Sequence, residues 1–167
     1  MAFFPCIRFE NQILLGFRGE ASQDKNKSMK DKLLYDMKLQ QELTDNYMLI
    51  TKLVLVCMEK KIPLIIENPY STQHYLRTHW ALKPSIIDEN RRLRGDHYIK
   101  PTQYWFVNCE PKNNFIFEPR VVHEKWTILH NKNTVQRSMI TKEYANRFIR
   151  EFILDGEPKE EKEIRLV

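Results

Sequence analysis

Apolar positions along this chain follow two spacings. From Leu33 through Met37, Leu43, Tyr47, Ile50 and Val54 to Cys57 they recur at roughly helical intervals, with Ser28 placed to cap the amino end. This predicts the longest helical stretch, over about 28–60, with its apolar stripe as a core face packing on a sheet. Thr44-Asp45 is a point where it can divide in two. A second helix is predicted from Thr141 as N-cap to Leu154, with Tyr144, Phe148 and Phe152 on one face and Gly156 beyond its end. A short one is predicted over 72–80, stopped before Pro84. The strand-like stretches are different. Ile62, Leu64, Ile65 and Ile66 form a continuous apolar run, read as a strand over 62–66 buried on both faces, as in a parallel sheet. It is expected to stop at Glu67-Asn68, because Pro69 cannot donate to a ladder. Tyr104 to Val107 mark a strand over 103–107, and Ala2-Phe3-Phe4 a short one over 2–5 that Pro5 ends. Ile86-Ile87 is an isolated apolar pair. Residues 10–27 read as a long loop, and the pattern leaves the order of elements in 112–136 open.

Composition adds boundaries. At 167 residues the chain suits one domain, placed at 1–155, followed by a flexible acidic tail over 156–167. No apolar run is long enough to span a membrane, and no secretory signal is visible, so a cytoplasmic location is expected. Three cysteines, Cys6, Cys57 and Cys109, lack metal-site spacing, which argues for a reducing compartment and against a bound metal. The net charge of +5 hides an asymmetry: 151–167 carry three basic and six acidic side chains, leaving 1–150 at +8. A basic body is compatible with nucleic acid as partner and is also common without one.

Two stretches carry candidate chemistry. Glu67-Asn68-Pro69-Tyr70-Ser71 follows a strand, and in open α/β sheets ligands bind at the carboxyl ends of strands. A carboxylate, an amide and an aromatic ring there can meet a ligand. The plainer alternative is a strand-to-helix turn in which Asn68 and Ser71 cap the next helix. The second stretch, Asn90 to Thr102, interleaves Arg91, Arg92, Arg94 and Lys100 with aromatic residues around Gly95. It reads as a phosphate-contacting loop, with Thr102 at its end, or as a solvated surface whose arginines pair with Asp88, Glu89 and Asp96.

Phe4-Pro5-Cys6, Glu67-Asn68-Pro69 and Lys100-Pro101-Thr102 before Tyr104-Trp105-Phe106 stand in an order that resembles the DNA cytosine-5 methyltransferases, most closely the small phage and prophage proteins of that type. Arg137-Ser138 before a final helix also looks like the end of such domains. The likeness spans Phe3 to about Phe152, in motifs of two or three residues each. It implies an α/β fold, a truncated Rossmann-like, methyltransferase-type domain with a mostly parallel sheet and flanking helices. It implies Cys6 as the thiolate that attacks cytosine C6, and Glu67 as the carboxyl that hydrogen-bonds or protonates N3. Arg8 is then placed to keep the thiol deprotonated, and Asn68, Pro69, Tyr70 and Ser71 to meet a base taken out of the stack. Cys6 is equally read as a small buried residue. Asn68-Pro69-Tyr70 is also one proline short of the Asn-Pro-Pro-Tyr turn of amino-methyltransferases.

The family binds S-adenosylmethionine through a Gly-rich turn after its first strand. The four glycines here, Gly16, Gly19, Gly95 and Gly156, form no such loop, and the chain begins where the family's fourth strand would begin. After Pro5-Cys6 the chain continues Ile7-Arg8-Phe9-Glu10, where typical enzymes carry a Gln-x-Phe-Ser type sequence. No cofactor is expected in the isolated chain, and S-adenosylmethionine only if another chain supplies the missing half. The expected function is nucleic-acid binding through a degenerate cytosine-5 site, without methyl transfer by this chain alone. The alternatives are a phage anti-defence inhibitor, of anti-restriction or anti-CRISPR type, that binds a host defence nuclease, and an interaction module with no retained site. A sheet missing strands exposes an edge, and self-association into a homodimer would cover it.

Overall fold

A computed structural model of the chain describes residues 2–3, 8–10, 13–21, 24–119, 121–125 and 139–155. These fall into two compact units, one drawn from Met1–Arg91 and Ile99–Glu110, the other from Arg92–Tyr98 and Pro111–Val167. The elements of the first are β1 (Ala2–Phe3), α1 (Ile13–Phe17), α2 (Met29–Lys60), β2 (Leu64–Pro69), α3 (Tyr75–His79), β3 (Ile86–Asp88) and β4 (Thr102–Val107). The second contains α4 (Lys142–Phe152). A 3-10 turn covers Arg91–Arg94. The fold is mixed α/β.

α2 is one unbroken helix. Ser28 caps it by accepting from the Asp31 backbone N–H, and no glycine or proline interrupts its 32 residues. It does not divide at Thr44-Asp45, because the polar side chains there bond within the helix. The Thr44 hydroxyl donates to the Gln40 carbonyl, Asn46 donates to the Glu42 carbonyl, and Asp45 accepts from Gln41. At the carboxyl end Lys61 turns left-handed (φ 54°) and Ile62 N–H returns to the Cys57 carbonyl, just before Pro63. Leu43, Ile50, Val54 and Cys57 join Leu64, Ile66, Leu76, Trp80, Trp105 and Val107 in the core. The amino-terminal half of the expected core stripe is not buried: Leu33 and Met37 are 59% and 70% exposed.

The sheet order is β1-β2-β4-β3. β1 runs parallel to β2, with Ala2 level with Ile66 and Phe3 level with Glu67. β4 is antiparallel to both β2 and β3. The expectation of a mostly parallel sheet is therefore corrected. β4 is buried along most of its length because it lies between two strands, and central position gives that pattern in either direction. β2 in fact alternates, with Leu64, Ile66 and Asn68 buried and Ile65, Glu67 and Pro69 half-buried.

β2 also runs further than expected, through Pro69. Pro69 is the last paired residue, opposite Thr102, so its missing N–H leaves no gap inside the ladder. The next N–H, that of Tyr70, donates to the Pro101 carbonyl at 2.8 Å. The chain thus leaves the sheet at Pro69 and re-enters it alongside, at Thr102. Everything from Tyr70 to Pro101 is an excursion from one rim, the rim at the carboxyl end of β2. The pair Ile86-Ile87 lies within this excursion as part of the edge strand β3.

In the second unit, Thr141 caps α4 by accepting from Tyr144 N–H, as expected, and its hydroxyl donates to the Gly95 carbonyl. Tyr144, Phe148 and Phe152 are buried in a row, with successive ring centroids 6.1 and 5.1 Å apart. Gly156 and the acidic tail, 156–167, lie outside the described residues, as do residues 126–138.

Candidate functional site

At the rim where β2 ends, a cavity of about 220 Å³ is lined by Glu10, Pro69, Tyr70, Ser71, His74, Lys100 and Pro101. The sheet register explains why these residues meet. Pro69-Tyr70 and Pro101 leave and enter adjacent strands at the same level, so two prolines and an aromatic ring form neighbouring walls. The Arg77 guanidinium lies 4.8 Å from the Tyr70 ring centroid, a cation–π contact that holds the ring. Lys100 adopts φ 25° immediately before Pro101, a left-handed backbone that L residues rarely adopt. The Thr102 hydroxyl donates to the Lys100 carbonyl at 2.9 Å and fastens that turn.

His74 is fully buried in the cavity wall. Asn68, also fully buried, donates from Nδ2 to the Glu67 carbonyl at 2.8 Å, which fixes its amide so that Oδ1 faces His74 Nε2 at 3.3 Å. Nε2 is then the protonated nitrogen, and Nδ1 presents a lone pair. Burial holds the imidazole pKa down at about 4, so the ring is neutral at physiological pH. Among the described residues His74 Nδ1 and Ser71 Oγ are buried and have no hydrogen-bond partner. Buried polar atoms are normally paired, so two unpaired ones beside a cavity mark places a ligand can satisfy.

Glu67 shares a strand face with Pro69. Burial raises its carboxyl pKa, and the nearby charges of Lys100 and Arg91 only partly oppose the shift. A carboxyl so placed is available as a hydrogen-bond donor over a wider pH range than an exposed one.

The rim brings together Pro69, Tyr70, Ser71 and Lys100 of the residues singled out in the sequence. Asn68 faces inward and acts on the cavity through His74. Cys6 lies outside the described residues; the last described position of β1, Phe3, is level with Glu67. Arg8 bonds Glu42 of α2, so its guanidinium is committed there. The arginine segment does not form a phosphate-facing row. Arg91 is 1% exposed and Thr102 is fully buried. Arg94 forms a bidentate pair with Glu151 at 2.9 and 3.0 Å and lies 5.2 Å from the Phe152 ring centroid. Arg92 donates to the His123 carbonyl at 3.2 Å. The acids that pair with these arginines include Glu151, which is distant in sequence, rather than only their neighbours.

Sequence reasoning assigned no role to His74 or Glu10, and quoted Pro101 only within the Lys100-Pro101-Thr102 motif. His74 had one legible signal, its position six residues after Asn68, where the chain turns from strand to helix. Glu10 comes from the start of the stretch read as a long loop.

Among the described residues no helix is long and apolar enough to cross a membrane, and no group of three or more His, Cys, Asp or Glu side chains is placed to hold a metal ion. No family model, curated protein or solved structure matches the chain.

Proposed function

We propose that this chain binds nucleic acid by accepting an unstacked base in the cavity at the carboxyl end of β2, as its resemblance to the cytosine-5 methyltransferases implies. The observation that carries this reading is the coincidence, around one cavity, of two prolines and a tyrosine with two buried polar atoms that have no hydrogen-bond partner, Ser71 Oγ and His74 Nδ1. A base offers a flat face for the tyrosine and prolines and hydrogen-bonding edges for Ser71 and His74. Lys100 supplies a cation for the adjoining phosphate. Of the truncated Rossmann-like reading, one parallel strand–helix–strand unit, β1, α2 and β2, is present, beside the antiparallel β4 and β3. Methyl transfer is not assigned to the chain alone, and S-adenosylmethionine is not expected to bind it; isothermal calorimetry with that cofactor tests the point, and tight binding would restore an enzyme reading.

The test is fluorescence anisotropy with short single-stranded oligonucleotides. Binding should depend on salt with a log–log slope of roughly −1, since one cation, Lys100, lines the cavity. Tyr70→Ala should weaken binding by about 1–3 kcal/mol through lost stacking. No binding at low salt, or binding indifferent to Tyr70→Ala, overturns the reading.

A further inference from the structure

The polar atoms around the cavity at the carboxyl end of β2 differ in what they can exchange. His74 Nδ1 can only accept, because the ring proton is held on Nε2 against Asn68 Oδ1. The Glu10 carboxylate, in the same lining, also accepts. The Ser71 hydroxyl has one hydrogen to give. Ser71 Oγ and His74 Nδ1 are both buried without a hydrogen-bond partner. Glu10 is brought to the cavity by its neighbour Phe9. That ring is fully buried, with its centroid 6.1 Å from that of His74, and the Phe9 carbonyl accepts from the Tyr75 N–H at 2.8 Å.

Two groups that accept and one that gives are the complement of one nucleobase edge. Guanine presents a carbonyl oxygen, O6, and then two separate donors, N1–H and the N2 amine. Adenine and cytosine present an amine beside a ring nitrogen that accepts. Uracil and thymine present one N–H between two carbonyls. With any of these four, one accepting group of the cavity meets another acceptor or nothing, and an unpaired buried acceptor costs free energy. We propose that the cavity selects guanine, with Ser71 donating to O6, His74 Nδ1 accepting from N1–H, and Glu10 accepting from the N2 amine. Lys100 stays with the adjoining phosphate and the Tyr70 ring with the face of the base. The inference rests on the base-binding reading above and names the base. It departs from the methyltransferase resemblance, in which the base is cytosine.

Fluorescence anisotropy with the full chain and a short oligothymidylate tests it. Replacing one thymine by guanine should tighten binding about tenfold or more. Hypoxanthine at that position keeps O6 and N1–H and lacks only the amine, so it should bind about tenfold more weakly than guanine. Methylation of the guanine at N1 should lose a similar factor, through His74. These comparisons use the wild-type chain, so they hold whether or not a variant folds.

Glu10→Ala should bind the guanine and hypoxanthine oligonucleotides equally, and the hypoxanthine one as tightly as the wild-type chain does. A purely structural role for Glu10 would weaken both alike. Equal wild-type affinity for thymine and guanine, or a guanine–hypoxanthine difference that survives Glu10→Ala, overturns guanine selection and leaves the base-binding reading to its Tyr70→Ala test. Absence of binding to every oligonucleotide overturns both.

Discussion

The rim cavity and the arginine turn at Arg91–Arg94 draw on similar residue types and use them in opposite ways. At the rim, Ser71 and His74 bury polar atoms that no described residue satisfies. In the arginine turn, the guanidinium groups have protein partners: Glu151 and the Phe152 ring for Arg94, the His123 carbonyl for Arg92. A charge already paired inside a protein has little left to offer a phosphate without first losing that partner. The difference teaches that residue type names a candidate, while the state of its partners decides what it can bind. By this criterion Arg94, paired at both nitrogens with Glu151, is structural, and the rim is receptive.

The widest separation between the two regions is expected in stability. Arg91 is 1% exposed, and its charge acts on the Glu67 carboxyl. Arg91→Ala should destabilise the chain by about 3–5 kcal/mol, since removing a buried partner leaves the other uncompensated and opens space. Ser71→Ala should be neutral or slightly stabilising, because it removes a buried hydroxyl that bonds nothing. Urea denaturation of the two variants measures both. A costly Ser71→Ala beside a harmless Arg91→Ala would reverse the assignment.

Next in size is the pH dependence set by His74. Its folded pKa of about 4 lies below the ordinary 6.5. The unfolded chain therefore binds a proton that the folded chain refuses. Stability from this source is complete above pH 6.5 and is lost as pH falls from 6.5 toward 4, by up to about 3 kcal/mol. His74→Gln should flatten that part of a urea-midpoint profile. An unchanged slope would place the titration elsewhere and remove the neutral imidazole from the cavity wall.

Binding should divide the regions by a smaller margin. Tyr70→Ala should cost about 1–3 kcal/mol of oligonucleotide affinity, and Arg92→Ala less than about 0.5 kcal/mol. Equal losses would return the arginine turn to the phosphate.

Much of the fold was readable because it rests on local rules. Ser28 and Thr141 cap their helices through side-chain bonds to residues three positions on, which sequence spacing alone can suggest. The Tyr144, Phe148 and Phe152 row follows from helical period. Strand direction was not readable. A run such as Leu64 to Ile66 is apolar whether its neighbours run up or down, and β4 reaches it only after a 32-residue excursion from 70 to 101. The exposure of Leu33 and Met37 was hidden for a related reason: α2 carries apolar residues well beyond its buried face, such as Leu34, Leu49 and Val56, and periodicity does not say which of them meet the sheet. Of the residues around the cavity, Pro69, Tyr70 and Ser71 stood out in the sequence as strand-end residues, and Lys100 as part of the basic loop. The pairing of Arg94 with Glu151 was not legible because the two lie 57 positions apart.

The smallest and most discriminating test concerns Glu67. Burial raises its folded pKa above 4.5, while Lys100 and Arg91 pull the other way. A raised carboxyl contributes stability in acid, where both folded and unfolded forms are protonated, and that contribution is lost as pH rises through the folded pKa. At neutral pH the ionised Glu67 is therefore a net cost, and Glu67→Gln should stabilise the chain there, with the gain vanishing in acid. His74 acts with the opposite sign, gaining stability as pH rises, so the wild-type profile between 4.5 and 6.5 is the difference of two trends. Removing His74 in a His74→Gln background should expose the downward trend from Glu67. Adding Lys100→Met should steepen it, since the first-named opposing charge is gone. A Glu67→Gln variant that is less stable at every pH would mean that the carboxylate makes a contact worth more than its burial. Glu67 would then be a structural ion that supports the rim from β2 and offers nothing to a ligand.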